Sequence, residues 1–252
     1  MDDGSNPSLE PIIKDYDDNR IIFIRHPENK GAGAAHNTGI KAAKYDWIAF
    51  ICHDDEWLKN KLEINYEIVK KYGNEYKLLY SDIYFYKNNI LINTNVDIKR
   101  GFVYDDIISL KLFFNTSTLV ISKKVLEEIG YYDESGCLID LDLYLRLAPK
   151  YAFWGINKKL IYYYFTDELS ISGPNNINKI KGSNFVKLFT KHISQILKNK
   201  KYRKSWSYML NSLAHLNSNY FYRLKMILYA LLIYPSWRGN YIDFIKFLFK
   251  IK

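Results

Sequence analysis

The acidic pair Asp54-Asp55 is the feature of this sequence best suited to hold a metal ion. It follows residues 47–52, an apolar run with the composition of a buried strand. Ligands bind at the carboxyl ends of strands in open α/β sheets, and carboxylate oxygens there can hold Mg²⁺ or Mn²⁺ against a phosphate. The motif alone leaves an equal alternative, a solvated loop whose acids cap the next helix.

The elements around this pair must place it at the edge of a sheet. The pattern predicts strands at residues 20–25, 47–52, 78–86, 118–122 and 159–164, and helices at 34–44, 59–72, 124–130 and 140–147. Strands that alternate with helices indicate an α/β fold with a largely parallel sheet. After about residue 183 the sequence changes to basic and aromatic amphipathic helices, so we expect a domain at 1–183 and a helical tail at 184–252.

The positive charge of the chain is concentrated in this tail. The 252 residues carry a net charge of +9, but residues 191–252 hold twelve Lys or Arg and one acid, so the remainder is slightly acidic. This distribution argues against a nucleic-acid partner. The tail fits two alternatives equally: helices that lie on a membrane surface, attracted by anionic lipid, or a helical cap that packs on the domain with its lysines in water.

The sequence also indicates a cellular compartment. Its two cysteines, Cys52 and Cys137, fit neither a zinc spacing nor a disulfide framework. Neither a secretory signal nor an uninterrupted apolar stretch of membrane-spanning length is evident. We therefore expect a cytoplasmic protein, either free or peripheral on the inner face of the cell membrane.

Several motifs resemble those of family 2 glycosyltransferases. Residues 29–63 match, in spacing and without gaps, the family's N-x-G-x-x-x-A-R-N-x-G-I, then a strand ending in D-x-D-D, then W and K-L-E. Residues 1–5 resemble its D-D-G-S. Further along, residues 130–134, 140–147 and 170–172 resemble G-x-F-D-E, E-D-x-D-L-x-L-R-L and S-I-S. The resemblance covers roughly residues 2–175.

This resemblance implies the GT-A fold, a Rossmann-like and mostly parallel sheet flanked by helices, and a nucleotide-sugar donor. The residues that it assigns to the donor site are Asp2, Asp3, Gly31, Asn37, Cys52, His53 and Asp54. Asp54 would also hold Mn²⁺ or Mg²⁺, since a cation neutralises the charge that develops on the departing diphosphate. The implied acceptor is a saccharide or a lipid-linked saccharide, as in the assembly of cell-surface polysaccharides or glycoconjugates.

The resemblance also implies that Asp140 is the catalytic base, which takes the proton of the attacking hydroxyl. With one base and no carboxylate nucleophile, a single displacement with inversion at the anomeric carbon is expected. The alternative is that Asp140 and Asp142 lie on the solvated first turn of a helix, where the helix dipole favours them. Arg146 is expected to be a structural ion-pair partner.

The sequence departs from the family pattern in three places. Cys52 stands where the family has the first Asp of D-x-D, and Ile139 stands where it has the Glu of E-D. The match begins inside the family's second strand, so we expect the first strand, with its Pro-Thr-Tyr-Asn turn, to be missing from this sequence. These departures favour an alternative function, a degenerate and inactive transferase-like fragment that only binds a membrane or a partner.

Overall fold

The computed structural model describes residues 1–92, 97–135, 138–165, 182–216 and 219–249. Within these residues the protein forms one sheet of seven strands. The strands are β1 (Trp47–Ala49), β2 (Asp55–Trp57), β3 (Tyr76–Lys87), β4 (Ile90–Ile92), β5 (Arg100–Gly101), β6 (Val120–Ser122) and β7 (Ala152–Phe165). Their order is β1-β6-β3-β7-β2, with β4 on β3 and β5 on β7.

The helices are distributed before, between and after these strands. They are α1 (Glu10–Lys14), α2 (Ala32–Ala42), α3 (Lys61–Tyr72), α4 (Tyr104–Ile108), α5 (Lys123–Ile129), α6 (Ile139–Leu147), α7 (Gly182–Ile196), α8 (Lys200–Leu216), α9 (Tyr220–Ile233) and α10 (Arg238–Phe249). A 3₁₀ turn, Thr116–Thr118, precedes β6. None of the described helices combines the length and the apolar composition that a membrane span requires.

The sheet is mixed, which corrects the expected largely parallel sheet. The long pairing of β3 with β7 is parallel, but β6 runs antiparallel to both β1 and β3, and β2 runs antiparallel to β7. A parallel pair needs a crossover of a dozen or more residues. Only residues 50–54 separate β1 from β2, which is too few for such a crossover. The short helix α4 and the 3₁₀ turn precede β6, and its pairing with β3 is antiparallel.

The segment at residues 20–25 is not a strand, although its β-branched composition predicts one. It makes one isolated parallel bridge, between Asp2 and Arg25, and Ile21 and Ile22 are exposed. A strand needs a neighbour that satisfies its backbone N–H and C=O groups along its length. Composition alone therefore gave the wrong element here.

The main apolar core lies between the sheet and the helices, and the tail contributes to it. Leu78, Leu119 and Leu143 are fully buried there together with Phe189 of α7 and Trp206 of α8. The Trp206 indole N–H also donates to the carbonyl of Ile108 at 2.9 Å. Such burial of large side chains, roughly 2 to 3 kcal/mol for each in apolar transfer, holds α7 and α8 against the rest of the protein.

Candidate active site

Three side chains that could contact a metal ion converge after β1. One ligand atom each of Cys52, Asp54 and Asp55 lies within 4.8 Å of the others. Asp54 is exposed, and the nearby His53 side chain is exposed as well, with its Nδ1 atom 3.9 Å from Oδ1 of Asp54. The cluster lies at the carboxyl end of β1, where the sequence predicts it.

Asp55 is the less exposed of the two aspartates in this acid cluster. Its Oδ2 accepts a hydrogen bond from the hydroxyl of Ser117, whereas its Oδ1 is buried and has no hydrogen-bond partner among the described residues. Burial, reinforced by the charge of Asp54, raises the pKa of Asp55 to about 6 against the opposing effect of the Ser117 hydrogen bond. A buried carboxylate oxygen without a partner is costly, and a cation would relieve that cost.

Cys52 is partly buried in the same cluster. Burial raises the pKa of its thiol to about 11, with Asp55, Asp140 and Asp54 contributing in the same direction. The thiol is therefore protonated at neutral pH, and a thiol is a poor ligand for hard cations such as Mg²⁺. Within this cluster, the carboxylate oxygens that could contact a cation belong to the two aspartates.

Asp140 lies in the first turn of α6, where it is partly exposed and close enough to the acid cluster to act on it electrostatically. Its carboxylate influences the pKa values of Cys52 and of Tyr163, the residue that pairs with Asp55 across β2 and β7. Burial raises the pKa of Asp140 itself to about 6, although a hydrogen bond from Thr116 opposes the shift. Asp140 is thus partly exposed at the start of a helix and also held by a buried hydroxyl, and its role as the base stays a prediction.

Sequence reasoning missed Thr116 and Ser117. The Thr116 hydroxyl donates to Oδ1 of Asp140 at 2.5 Å, and Ser117 contacts Asp55. The available signal was the polar stretch at residues 115–118 directly before a buried strand, which reads as a turn. Because these contacts join residues 24 and 62 positions apart, no local pattern could reveal them.

The structure places three predicted donor-site residues in a separate group at the N terminus. The Asp3 carboxylate accepts from the backbone N–H groups of Lys30 at 3.0 Å and Gly31 at 2.8 Å. Gly31 has a positive φ of 93°, and a Cβ there would meet no atom within 4 Å, so its backbone borders open space. Asp2 is buried, accepts from Ser5 N at 2.8 Å and pairs with Arg25.

This N-terminal group is held together by its own contacts. Within the described parts of the chain, no hydrogen bond or ion pair joins Asp2, Asp3 or Gly31 to the acid cluster. The buried carboxyl of Asp2 would have a high pKa, but hydrogen bonds from Ser5 and other donors lower that pKa to about 2. Asp2 therefore stabilises the local chain path, while Asp3 and Gly31 define the open edge.

Asn37 is buried, and its amide is occupied by protein contacts. Its Nδ2 donates to the carbonyl of Tyr132 at 3.0 Å and to Glu134 at 2.8 Å, and its Oδ1 accepts from Tyr132 N at 2.9 Å. The predicted donor contact thus becomes an indirect one. Asn37 fixes α2 to the turn that precedes α6 and Asp140.

Asp142 has a structural role that differs from that of Asp140. It is buried and contacts Arg146 of α6 at 2.8 Å, and Lys191 and His192 of α7 at 2.8 and 3.0 Å. Burial raises the pKa of Asp142, but these partners outweigh that effect and hold it well below the usual range. The expectation that Arg146 is a structural ion-pair partner is confirmed.

The S-I-S motif at 170–172 and Cys137 lie outside the described residues.

Comparison with known proteins points to one protein family. A family model described as glycosyl transferase family 2 matches residues 1–130. The chain is 26% identical over 242 residues to an uncharacterized glycosyltransferase, MJ1057, of Methanocaldococcus jannaschii, a match that covers 93% of this chain and 75% of that protein. WfgD of Escherichia coli, a UDP-Glc:alpha-D-GlcNAc-diphosphoundecaprenol beta-1,3-glucosyltransferase, is 32% identical over 91 residues, 36% of this chain and 35% of that protein. The chain spans about half, 52%, of two matching rickettsial glycosyltransferases.

Solved structures show the same fold. TarS 1–349 of S. aureus in complex with UDP-GlcNAc superposes with a TM-score of 0.60 at 13% sequence identity, and the match covers 96% of this chain and 81% of that one. At this level of identity the likeness concerns the fold, and it confirms the expected GT-A architecture. The acid cluster, Asp140 and the N-terminal group therefore lie on a scaffold that is known to bind a nucleotide sugar in another protein.

Proposed function

The chain belongs to glycosyltransferase family 2, and from this premise we propose that it transfers a sugar from a nucleotide-sugar donor to a hydroxyl acceptor with inversion. One observation carries the proposal. The acid cluster of Cys52, Asp54 and Asp55 and the carboxylate of Asp140 lie close enough to influence one another electrostatically, as the base and the diphosphate site of such an enzyme must.

The acid cluster supports a divalent cation of the Mn²⁺ or Mg²⁺ type. Two carboxylates and a buried oxygen without a partner suit a hard cation, so Asp54 would hold it with Asp55 beside it. Such a cation, when bound, neutralises the negative charge that develops on a departing diphosphate. Cys52, which replaces the family's first Asp, leaves the cluster with one carboxylate fewer and therefore predicts weak binding of the metal without nucleotide.

Asp140 supports the role of general base. With a pKa near 6 it is mostly ionised at neutral pH, yet it is more basic than a solvated carboxylate. The acceptor hydroxyl would transfer its proton to this carboxylate as its oxygen forms the new bond to the anomeric carbon and the diphosphate departs. A general base of this kind contributes about 10²- to 10⁴-fold to the rate.

The donor in this proposal is a nucleoside diphosphate sugar, and uridine is the first base to test. WfgD carries UDP-Glc in its name, and the TarS structure contains UDP-GlcNAc. The side of Gly31 that lacks a Cβ faces open space next to the Asp3 carboxylate, so a nucleoside has room there. A cell-surface glycan, free or attached to a lipid, is the proposed class of acceptor.

The tail supports a membrane-peripheral location for this chemistry. On α9, Phe221, Leu228 and Leu232 are 65%, 39% and 75% exposed, and with Lys225 they follow the 4-3-4 spacing of one helix face. We name these four residues the α9 stripe. Exposed apolar side chains with interleaved lysines on a basic tail are suited to the surface of an anionic membrane.

The test of the proposed function is a transfer assay with UDP- and GDP-sugars and Mn²⁺, on the wild type and three variants. Asp140→Asn is expected to lower kcat by about 100-fold or more while UDP affinity, measured by calorimetry, stays within about two-fold. Asp54→Asn is expected to weaken Mn²⁺-dependent UDP binding by about 10-fold. Glu56→Gln is the matched control, because Glu56 is an exposed acid of β2 outside the cluster.

Full transfer by Asp140→Asn or unchanged UDP affinity in Asp54→Asn would contradict the role given to that residue. A wild-type chain that binds neither UDP nor GDP in the presence of Mn²⁺, and transfers no sugar, would favour the alternative of an inactive transferase-like protein that binds a membrane or a partner.

A further inference from the structure

The 3₁₀ turn Thr116–Thr118 joins the two halves of the candidate site. The hydroxyl of Thr116 donates a hydrogen bond to Oδ1 of Asp140 at 2.5 Å. The hydroxyl of Ser117, the next residue, donates to Asp55 and accepts from the backbone N–H of Cys52 at 2.9 Å. Consecutive hydroxyls of one turn thus contact the proposed base and the acid cluster, so the turn sets the position of one relative to the other.

The backbone of this turn is fixed from behind by two side chains. The indole N–H of Trp57 donates to the carbonyl of Ser117 at 3.0 Å, and Nζ of Lys61 donates to the carbonyl of Thr118 at 3.1 Å. Lys61 is completely buried, and this burial lowers its pKa to about 8. Among the described residues Lys61 has no carboxylate partner, so its burial carries a desolvation cost in free energy. Its contact with the Thr118 carbonyl offsets part of that cost.

The turn is also closed from within. The Oδ1 atom of Asn115 accepts from Ser117 N at 2.7 Å, which caps the turn, and the hydroxyl of Thr118 donates to the carbonyl of Asn115 at 2.6 Å. Thr116, Ser117 and Thr118 are all buried. With its backbone held at both ends, the Thr116 hydroxyl has a defined position, which is the requirement for a side chain that orients another.

The two oxygens of the Asp140 carboxylate are not equivalent. Oδ1 accepts from Thr116, whereas Oδ2 makes no hydrogen bond within the described part of the chain. Among the described residues, the titratable groups that interact electrostatically with Asp140 include Cys52 and Tyr163 from neighbouring segments, Tyr132 from the preceding turn, and Tyr144 from α6 itself. All four are uncharged at neutral pH, because burial raises each of their pKa values.

We propose that Thr116 is a positioning residue whose hydroxyl binds Oδ1 of Asp140 and thereby leaves Oδ2 as the atom that receives the acceptor's proton. This inference rests on the proposed function for the identity of the proton donor. The hydrogen bond between Thr116 and Asp140 does not depend on the proposed function, since it is present in the protein without substrate. Without the hydroxyl, the carboxylate can rotate, and Oδ2 loses its fixed direction.

The test compares Thr116→Val with Thr116→Ser. Valine keeps the shape of threonine without the hydroxyl, and we expect kcat to fall by roughly 10- to 100-fold while KM for the donor stays within about two-fold. Serine restores the donor, and we expect recovery to within about three-fold of the wild type. Thr190→Val is the matched control, because it removes a threonine hydroxyl on α7 that donates only to the carbonyls of Val186 and Lys187 in its own helix.

A second readout does not depend on activity. Infrared difference spectra of the protein with a labelled Asp carboxyl, assigned with Asp140→Asn, report hydrogen bonding to this carboxylate. We expect the carboxylate band to shift in Thr116→Val and to return in Thr116→Ser. An unchanged band and an unchanged kcat in Thr116→Val would overturn the proposal, as would an equal loss of kcat in Thr190→Val. If the band shifts in Thr116→Val but the wild-type chain transfers no sugar, the contact is supported and the proposed function is contradicted.

Discussion

At the scale of single residues, Asp140 is defined by a balance between burial and one hydrogen bond. Burial disfavours its charged form and raises its pKa to about 6, and the Thr116 hydroxyl limits that rise. A base with this pKa is ionised at pH 7 and still accepts a proton more readily than a solvated aspartate. The same environment that makes it reactive therefore makes its activity depend on pH.

We predict that kcat/KM for sugar transfer falls as the pH drops through about 6, since a base must be deprotonated to act. Because Asp55 also has a pKa of about 6, the profile is measured with saturating Mn²⁺, which favours the ionised form of the acid cluster. From pH 5 to 8 it should be flat at high pH and fall about ten-fold per pH unit on the acidic side. Enzyme held at pH 5 and assayed at pH 7 controls for unfolding. A profile that stays flat down to pH 5 would contradict a base with a raised pKa.

At the scale of elements, local and non-local signals differ in what they predict. The sequence places α3, α5 and α6 within two residues of their observed starts, because apolar periodicity and a closing glycine such as Gly73 or Gly130 are local features. It does not give the directions of β2 and β6, since pairing depends on distant strands. Motifs carry the predictions for Asp54 and Asp140, whereas the contact of Thr116 with Asp140 was not predicted because it joins residues 24 positions apart.

The contact between α6 and α7 is expected to stabilise the whole chain. Asp142→Asn would remove the charge that pairs with Arg146, Lys191 and His192, and we predict a loss of about 3 kcal/mol in the free energy of unfolding. Because these partners depress the pKa of Asp142, its contribution is present above the ordinary carboxyl range and fades only as the pH falls below it.

Urea denaturation at pH 7 measures this loss. Asp133→Asn is the matched control: Asp133 also contacts Lys191, at 2.7 Å, but its side chain is 29% exposed, so its loss should stay below about 1 kcal/mol. Equal stability of Asp142→Asn and the wild type would show that apolar burial alone, for example of Trp206, holds the tail in place.

At the scale of the whole molecule, the helices of the tail have one buried face and one exposed face. Phe189, Trp206 and Met226 are buried in the shared core, as the cap alternative expects, whereas the α9 stripe remains exposed. Tyr241 and Ile242 of α10 are also about half exposed, at 49% and 52%. The two alternatives for the tail are therefore compatible, because one face of the helices packs on the domain and another is available to a membrane.

We predict that the protein binds vesicles containing anionic lipid through the α9 stripe. Replacing both Leu228 and Leu232 by Gln should weaken binding in a sedimentation assay by more than about 10-fold, since inserting each leucine contributes roughly 1.5 kcal/mol or more. Replacing both Ile90 and Leu91, which are exposed on β4, is the matched control and should have little effect. Binding should also weaken as salt rises, because the lysines act through screened charge. Equal vesicle binding by the two double variants would exclude the α9 stripe as the membrane contact. Equal binding of the wild type to neutral and anionic vesicles would exclude the electrostatic contribution.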